Sequence, residues 1–353
     1  MRYKLFGRSG LRISELCLGT AGFGMDAAPG SDAGESRLIF EAFAEAGGNF
    51  IDTAHVYGDG ASENCIGELI KADRDHFVVA TKYTPSFGKD LGKAGNSRKN
   101  MRRCVEESLR RLGTDHIDLY WLHNWDFTTP MDEILRGFDD LVSSGKVTYV
   151  GASNVEAWRI GRANMLADLR GWAPFIGIQI QYNLIERTAE RDLLPMAKEL
   201  DLGLAAWSPL GGGVLTAKYN RAARTNGPVA GREGRPIAES QLQVAHLVSE
   251  IASDVGFTSC QVALAWLRQQ DRFTNPVIPI LGARTAAQMK ENLGCLDVVL
   301  SSDQLRRLGE LTRVDMGYLH QFLTVRGPTG SRDVSFGGQF DRVDNHRGWE
   351  PRA

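Results

Sequence analysis

The sequence predicts an α/β fold closed into a (β/α)8 TIM barrel, with an N-terminal β-hairpin and an extra C-terminal segment. Three observations point there: eight short apolar runs along 353 residues, helix-patterned stretches between them, and no GxGxxG turn after the first run. The length is high for one domain but within the range of such a barrel, and it buries a large core without staples.

The elements follow in order. "YKLF-GRSG-LRIS" places two short strands around a glycine-containing turn, a hairpin signal. The eight runs are "ELCLG", "NFID", "FVVAT", "IDLYWLH", "VTYVGAS", "IGIQIQ", "GLAAW" and "PVIPIL". They are continuous rather than alternating, the mark of parallel strands covered on both faces. Amphipathic stretches separate them, such as Glu35–Ala46, Asn100–Leu112 and Met131–Ser144; in the second, Met101, Val105, Leu109 and Leu112 recur at helical spacing. Eight strand-then-helix units favour a barrel. The rival, a doubly wound dinucleotide-binding sheet, needs GxGxxG after the first strand, and "GTAGFG" has the wrong spacing. Residues 1–313 are read as one barrel domain and 314–353 as its C-terminal extension. Three segments are surplus to the eight units: the hairpin, the loop Leu210–Glu239, and the polar, Gly-rich tail Arg313–Ala353. A packed arm and a lid are both open for the tail.

Composition removes several function classes. With 41 basic and 43 acidic residues the net charge is -2 and no basic block occurs, so neither nucleic acid nor a membrane surface is expected as a partner. No run approaches the roughly 18 apolar residues of a membrane span, and the N-terminus has no signal-peptide pattern. The five cysteines are odd in number and lack CxxC spacing, as free thiols in a reducing, cytoplasmic setting would. Seven histidines without HxH or HExxH spacing argue against a metal-dependent barrel hydrolase, and no metal site is expected. "FGKDLGKA" imitates a phosphate loop but is one residue short and lacks the Ser/Thr, so it reads as an ordinary loop. The sequence leaves the oligomeric state open.

In a barrel, catalytic groups sit at the C-terminal ends of the strands. Those ends give Asp52 after "NFI", Lys82 after "FVVAT" and His123 after "IDLYWL", with Tyr57 in the loop beyond Asp52. Each alone has a plain structural explanation, as a helix cap, a surface lysine or a core histidine. Their placement at successive strand ends on one rim is what makes them a site.

These four, with "DTAHVYG", "TKY", "LYWLH", "GASN", "QIQYNLIER", "WSPLGGGVLTAKY" and "LGARTAAQMKENLG", resemble the aldo-keto reductase superfamily over roughly Tyr3 to Arg313. In character the chain is closer to bacterial reductases and potassium-channel β-subunits than to mammalian aldose reductases. The resemblance implies a barrel that interconverts a carbonyl, aldehyde or ketone, and an alcohol with NADPH, NAD being the less favoured cofactor. Tyr57 would act as general acid/base. A free tyrosine, with a pKa of about 10, is a weak acid at neutral pH. Lys82 would favour the phenolate, Asp52 would hold Lys82, and His123 would orient the substrate oxygen.

For the cofactor, the resemblance implies Ser153, Asn154 and Gln179 at the nicotinamide amide and Trp207 stacked on the ring, the alternative for Trp207 being core packing. Gly19, Thr20, Asp52, Ser208, Pro209, Leu210, Gly211, Gly213 and Lys218 would follow the dinucleotide, the glycines allowing close backbone approach. Gly282, Arg284, Gln288, Glu291 and Asn292 match the adenosine segment. Gly282 and Gln288 stand where many relatives carry cations for the 2′-phosphate, so the NADP reading rests on Arg284. Phe23, Met25, Tyr83, Phe87 and Trp125 are expected to line an aromatic mouth for a small carbonyl or alcohol substrate. A competing reading is a cofactor-binding sensor or regulatory subunit with little turnover. His123 weighs against it, because channel β-subunits carry asparagine at that place.

Overall fold

The computed structural model describes residues 1–26, 30–220, 236–270, 275–324, 330–339 and 342. Eight parallel strands close a barrel in the order β10-β3-β4-β5-β6-β7-β8-β9. They are β3 (Cys17–Gly19), β4 (Phe50–Asp52), β5 (Val78–Tyr83), β6 (Ile117–Leu122), β7 (Val147–Ser153), β8 (Phe175–Gln181), β9 (Gly203–Trp207) and β10 (Val277–Leu281). Each coincides with one of the eight apolar runs. Half of the expected loop Leu210–Glu239 and much of the tail Arg313–Ala353 lie outside the described residues.

The strands are buried on both sides because they divide two cores. Residues of one parity, among them Cys17, Phe50, Val78, Ala80, Leu119, Trp121 and Ile278, fill the barrel interior. Those of the other parity, Leu18, Ile51, Val79, Tyr120 and Ile178, meet the surrounding helices.

The hairpin, β1 (Tyr3–Leu5) and β2 (Arg12–Ser14), pairs antiparallel with Tyr3 opposite Ser14. It closes the barrel floor with Phe6, 1% exposed, whose ring lies 5.9 Å from Phe50 and 6.2 Å from Trp121. Glycine is required where this plug meets the wall: a Cβ on Gly177 or Gly203 would stand 2.3 or 2.4 Å from the Phe6 ring. The hairpin is thus part of the core rather than an appendage.

Helices pack outside in strand-then-helix order: α1 (Ala33–Glu45), α2 (Ala61–Ile70), α3 (Arg98–Leu112), α4 (Met131–Ser143), α5 (Ala157–Arg170) and α6 (Leu193–Glu199), followed by Glu239–Val255, Ser259–Arg268, Ala286–Leu293 and Ser302–Leu311. α3 begins two residues before the sequence reading placed it. Ser97 caps it by accepting from Asn100 N–H, and it ends at Gly113 in the left-handed region, φ 63°. The expected apolar stripe, Met101, Val105, Leu109 and Leu112, is its buried face. All five cysteines are free thiols, four of them buried. No helix among the described residues is long and apolar enough to cross a membrane.

Candidate active site

Strand parity places the chemistry. Asp52, Lys82 and His123 continue the inward-facing series Phe50–Asp52, Val78–Ala80–Lys82 and Leu119–Trp121–His123, so three polar side chains converge on the axis at the C-terminal rim. Lys82 is fully buried, and its ammonium donates to Asp52 Oδ2 at 2.5 Å, the Thr53 carbonyl at 2.7 Å and the Tyr57 hydroxyl at 3.3 Å. Burial works against its charge, but the Asp52 carboxylate and then Tyr57 outweigh it and raise the Lys82 pKa. The lysine is a cation inside the barrel.

Tyr57 reaches this cation through a turn. After β4 the chain continues alongside β5, with Thr53 N–H on the Ala80 carbonyl and His55 N–H on the Lys82 carbonyl. It then reverses through Gly58, Asp59 and Gly60, all at positive φ. Gly60 is required here, because a Cβ would stand 2.3 Å from the Arg111 guanidinium. Arg111, from the last turn of α3, donates to the His55 carbonyl at 2.9 Å and to the fully buried Glu63 at 3.1 Å, bracing the turn from outside.

His123 meets the Tyr57 ring edge-on, centroids 6.0 Å apart at 84°. Its Nδ1 is buried without a hydrogen-bond partner among the described residues. Burial, aided by the Lys82 charge, lowers its pKa to about 3. The imidazole is therefore neutral at ordinary pH, able to donate from one nitrogen and accept at the other.

Around this cluster the structure brings together much of the expected cofactor set. Gln179, 3% exposed, donates to Asp52 Oδ1 at 2.8 Å. Asn154, at φ 52°, donates to the His123 carbonyl at 3.0 Å and accepts from Trp207 Nε1 at 3.3 Å, tying three strand ends together. Ser153 is buried and accepts from the Asn154 amide at 3.0 Å. Trp207 is half-buried. Beyond it, Ser208 at φ 54° and Gly211, Gly212 and Gly213 at positive φ form a tight turn behind buried Pro209 and half-buried Leu210. Lys218 Nζ lies 2.8 Å from where a Gly213 Cβ would be. Non-glycine residues in the left-handed region at two strand ends are the kind of backbone found at functional sites. A glycine cradle, a nearby cation and a half-open indole fit a nicotinamide dinucleotide.

Not every expected residue faces the cluster. Tyr83 does not line the mouth: it follows inward-facing Lys82 by one residue, so it points outward, fully buried and stacked on Tyr120 at 5.5 Å. Phe23, 1% exposed, is likewise packed in the outer core. Thr20 is fully buried and its hydroxyl is used internally, on the Asp52 carbonyl at 3.0 Å and beside Ser62 at 2.8 Å. Gly19 answers to packing, since a Cβ would stand 2.7 Å from Ile280. Asn292 Oδ1 accepts from the Cys260 thiol at 2.8 Å and its Nδ2 donates to the Gly282 carbonyl at 3.4 Å. Gln288 accepts from Arg284 N–H at 2.9 Å. The Arg284 side chain is exposed and makes no hydrogen bond or ion pair among the described residues, and Gly282 and Glu291 are exposed beside it.

At the mouth, Met25 lies against the Tyr57 turn, its Cγ 3.2 Å from where a Gly58 Cβ would stand. Trp125 is half-buried and Phe87 is 82% exposed. The sequence reading missed Asp126, which staples this rim. It accepts from Asn96 N–H at 2.7 Å and from Thr128 and Thr129 N–H, each at 2.9 Å. Burial opposes these bonds, yet they hold its pKa down at about 2. An Asp two residues before a Thr is a turn signal that could have marked it.

Residues 15–313 match the model of the Aldo/keto reductase family. The uncharacterized oxidoreductase YrpG of Bacillus subtilis (strain 168) is 38% identical over 325 residues, covering 88% of this chain and 96% of that protein. The norsolorinic acid reductase of Aspergillus flavus is 34% identical, covering 90% and 83%. The aryl-alcohol dehydrogenase [NADP(+)] of Phanerodontia chrysosporium is 34% identical, covering 88% and 85%.

Proposed function

Because this chain belongs to the aldo/keto reductase family, we propose that it is a nicotinamide-dependent oxidoreductase that interconverts an aldehyde or ketone and the corresponding alcohol, with Tyr57 as the proton donor and acceptor. The observation that carries this reading is the Lys82 ammonium, which bridges the Asp52 carboxylate and the Tyr57 hydroxyl inside the barrel. The Lys82 ammonium donates to the phenol oxygen at 3.3 Å, so it would stabilise the negative charge that develops there as the proton passes to a substrate oxygen. Neutral His123 would donate a hydrogen bond to the same oxygen. Asp52 and Gln179 keep Lys82 in place without touching substrate.

The bound cofactor supplies or takes the hydride at the substrate carbon. This chain would hold it with Ser153, Asn154 and Gln179 at the carboxamide, Trp207 under the ring, the Ser208–Gly213 turn with Lys218 at the pyrophosphate, and the Arg284 segment at the adenosine. NADPH is the proposed form, because exposed Arg284 has its charge free for a 2′-phosphate. Half-buried Trp125 and Met25, with Phe87 at the edge, favour aryl substrates, the class named for the Phanerodontia chrysosporium relative. Five free thiols fit a reducing compartment, and we assign the protein to the cytoplasm. The test is a panel of aldehydes, ketones and alcohols with each cofactor, followed by the absorbance of the reduced nicotinamide. Turnover of aryl carbonyls with NADPH is expected; cofactor binding without turnover of any member would overturn the reading.

A further inference from the structure

A second polar constellation stands on the same rim and shares only Trp125 with the site described above. A cavity of about 120 Å³ is lined by Trp125, Pro130, Met131, Trp158, Arg159 and Arg162. One wall, Trp125, is tied to the reacting centre: it follows His123 by two residues and donates its backbone N–H to the Asn154 carbonyl at 3.4 Å. Arg159 comes from the first turn of α5, five residues beyond Asn154.

The Arg159 guanidinium lies against two indoles, 4.5 Å from the Trp125 ring and 4.2 Å from the Trp158 ring. Such contacts fix the plane of the guanidinium. Its Nε donates to Glu156 at 2.8 Å, while neither Nη makes a hydrogen bond among the described residues. Arg162 makes no ion pair there either, so two guanidiniums against the Glu156 carboxylate leave one positive charge in excess. A planar fork with its outer edge unused, a second cation beside it and aromatic walls are what an arene carboxylate requires.

We propose that this pocket is a carboxylate subsite, which selects aromatic carbonyl substrates bearing an acidic group. The carboxylate pairs with Arg159 and Arg162, the ring rests on Trp125, and the carbonyl points toward Tyr57 and His123. The proposal rests on the carbonyl-reducing reading of the Tyr57 centre. It adds to that reading what the far end of the substrate carries.

The test compares 3-formylbenzoate, 4-formylbenzoate and 4′-formylbiphenyl-4-carboxylate with their methyl esters, using wild type, Arg159→Met, Arg159→Lys and Arg162→Gln, each checked by thermal melting. At least one acid is expected to have a KM about tenfold or more below that of its ester in the wild type. Arg159→Met should raise that KM about 10- to 100-fold, the loss of a bidentate charged contact, and leave the ester nearly unaffected. Arg159→Lys should restore only part, because an ammonium lacks the fork, and Arg162→Gln should cost less than Arg159→Met. Acids and esters treated alike by the wild type, or weakened equally by Arg159→Met, would overturn the subsite while leaving the carbonyl-reducing reading intact. If no carbonyl in the series is turned over, that reading fails instead. The subsite is then judged by titrating biphenyl-4-carboxylate against tryptophan fluorescence: binding that Arg159→Met abolishes supports it, and no binding to wild type rejects it.

Discussion

Gln179 donates from Nε2 to Asp52 Oδ1 at 2.8 Å across 127 residues of sequence, and the other carboxylate oxygen, Oδ2, faces Lys82 at 2.5 Å. The carboxylate is gripped from both sides inside the barrel, so the Lys82 ammonium has one place to be. The Tyr57 hydroxyl meets it there.

Removing the cation should therefore do two things. Lys82→Met leaves Asp52 buried without its charge partner, and the stability loss should be about 3–5 kcal/mol by chemical denaturation. Adding Asp52→Asn to that variant should recover part of the loss, because the orphaned charge is gone. Turnover by Lys82→Met should fall by about 10²-fold or more, because the ammonium no longer donates to the Tyr57 hydroxyl as its proton moves. Asp52→Asn alone should cost less activity than Lys82→Met, as a neutral amide can still accept from the ammonium. Turnover by Lys82→Met close to that of wild type would make Lys82 a structural residue only.

His123 makes a prediction about acid. Its folded pKa of about 3 lies below the roughly 6.5 of an unfolded histidine. Between those values the unfolded chain binds a proton that the folded chain refuses. The stability linked to this group is complete above about pH 6.5 and falls as pH drops toward 3, by about 2 kcal/mol at pH 5. His123→Asn carries no such proton, so its stability difference between pH 7 and pH 5 should be smaller than that of wild type. Equal differences in denaturant titrations at the two pH values would contradict a neutral buried imidazole.

Arg284 tests the choice of cofactor. If its exposed guanidinium faces the adenosine 2′-phosphate, Arg284→Ala should weaken NADPH by about 1.5–3 kcal/mol, ten- to over a hundredfold, and leave NADH nearly unchanged. Titration of both cofactors into both proteins decides it. Equal weakening would make Arg284 a support for its loop, and a wild type that prefers NADH would reverse the assignment.

The barrel was legible because two-sided burial writes each strand as an unbroken apolar run, with its polar end at the rim. Asp52, Lys82 and His123 could be read from that rule alone. Tyr83 was misplaced because a run apolar on both faces conceals parity: the inward register shows only once Val78, Ala80 and Lys82 are seen to share a side. Thr20 and Asn292 also hold partners far along the chain, the Asp52 carbonyl and the Cys260 thiol, which no local pattern foretells. Arg111 on Glu63, 48 residues apart, and Arg159 on Trp125 leave no local pattern at all. Long-range polar pairing is set by helix placement, which periodicity does not encode.

In the proposed mechanism the Tyr57 hydroxyl carries the proton while the rest of the site holds the dinucleotide. Tyr57→Phe separates the two, with single-turnover oxidation of bound NADPH by an aryl aldehyde measured beside the cofactor's dissociation constant. Transfer should slow by about 10²–10⁴-fold or more, the scale of general acid catalysis, with cofactor affinity nearly unchanged. Transfer at close to the wild-type rate, with the cofactor still bound, would contradict it.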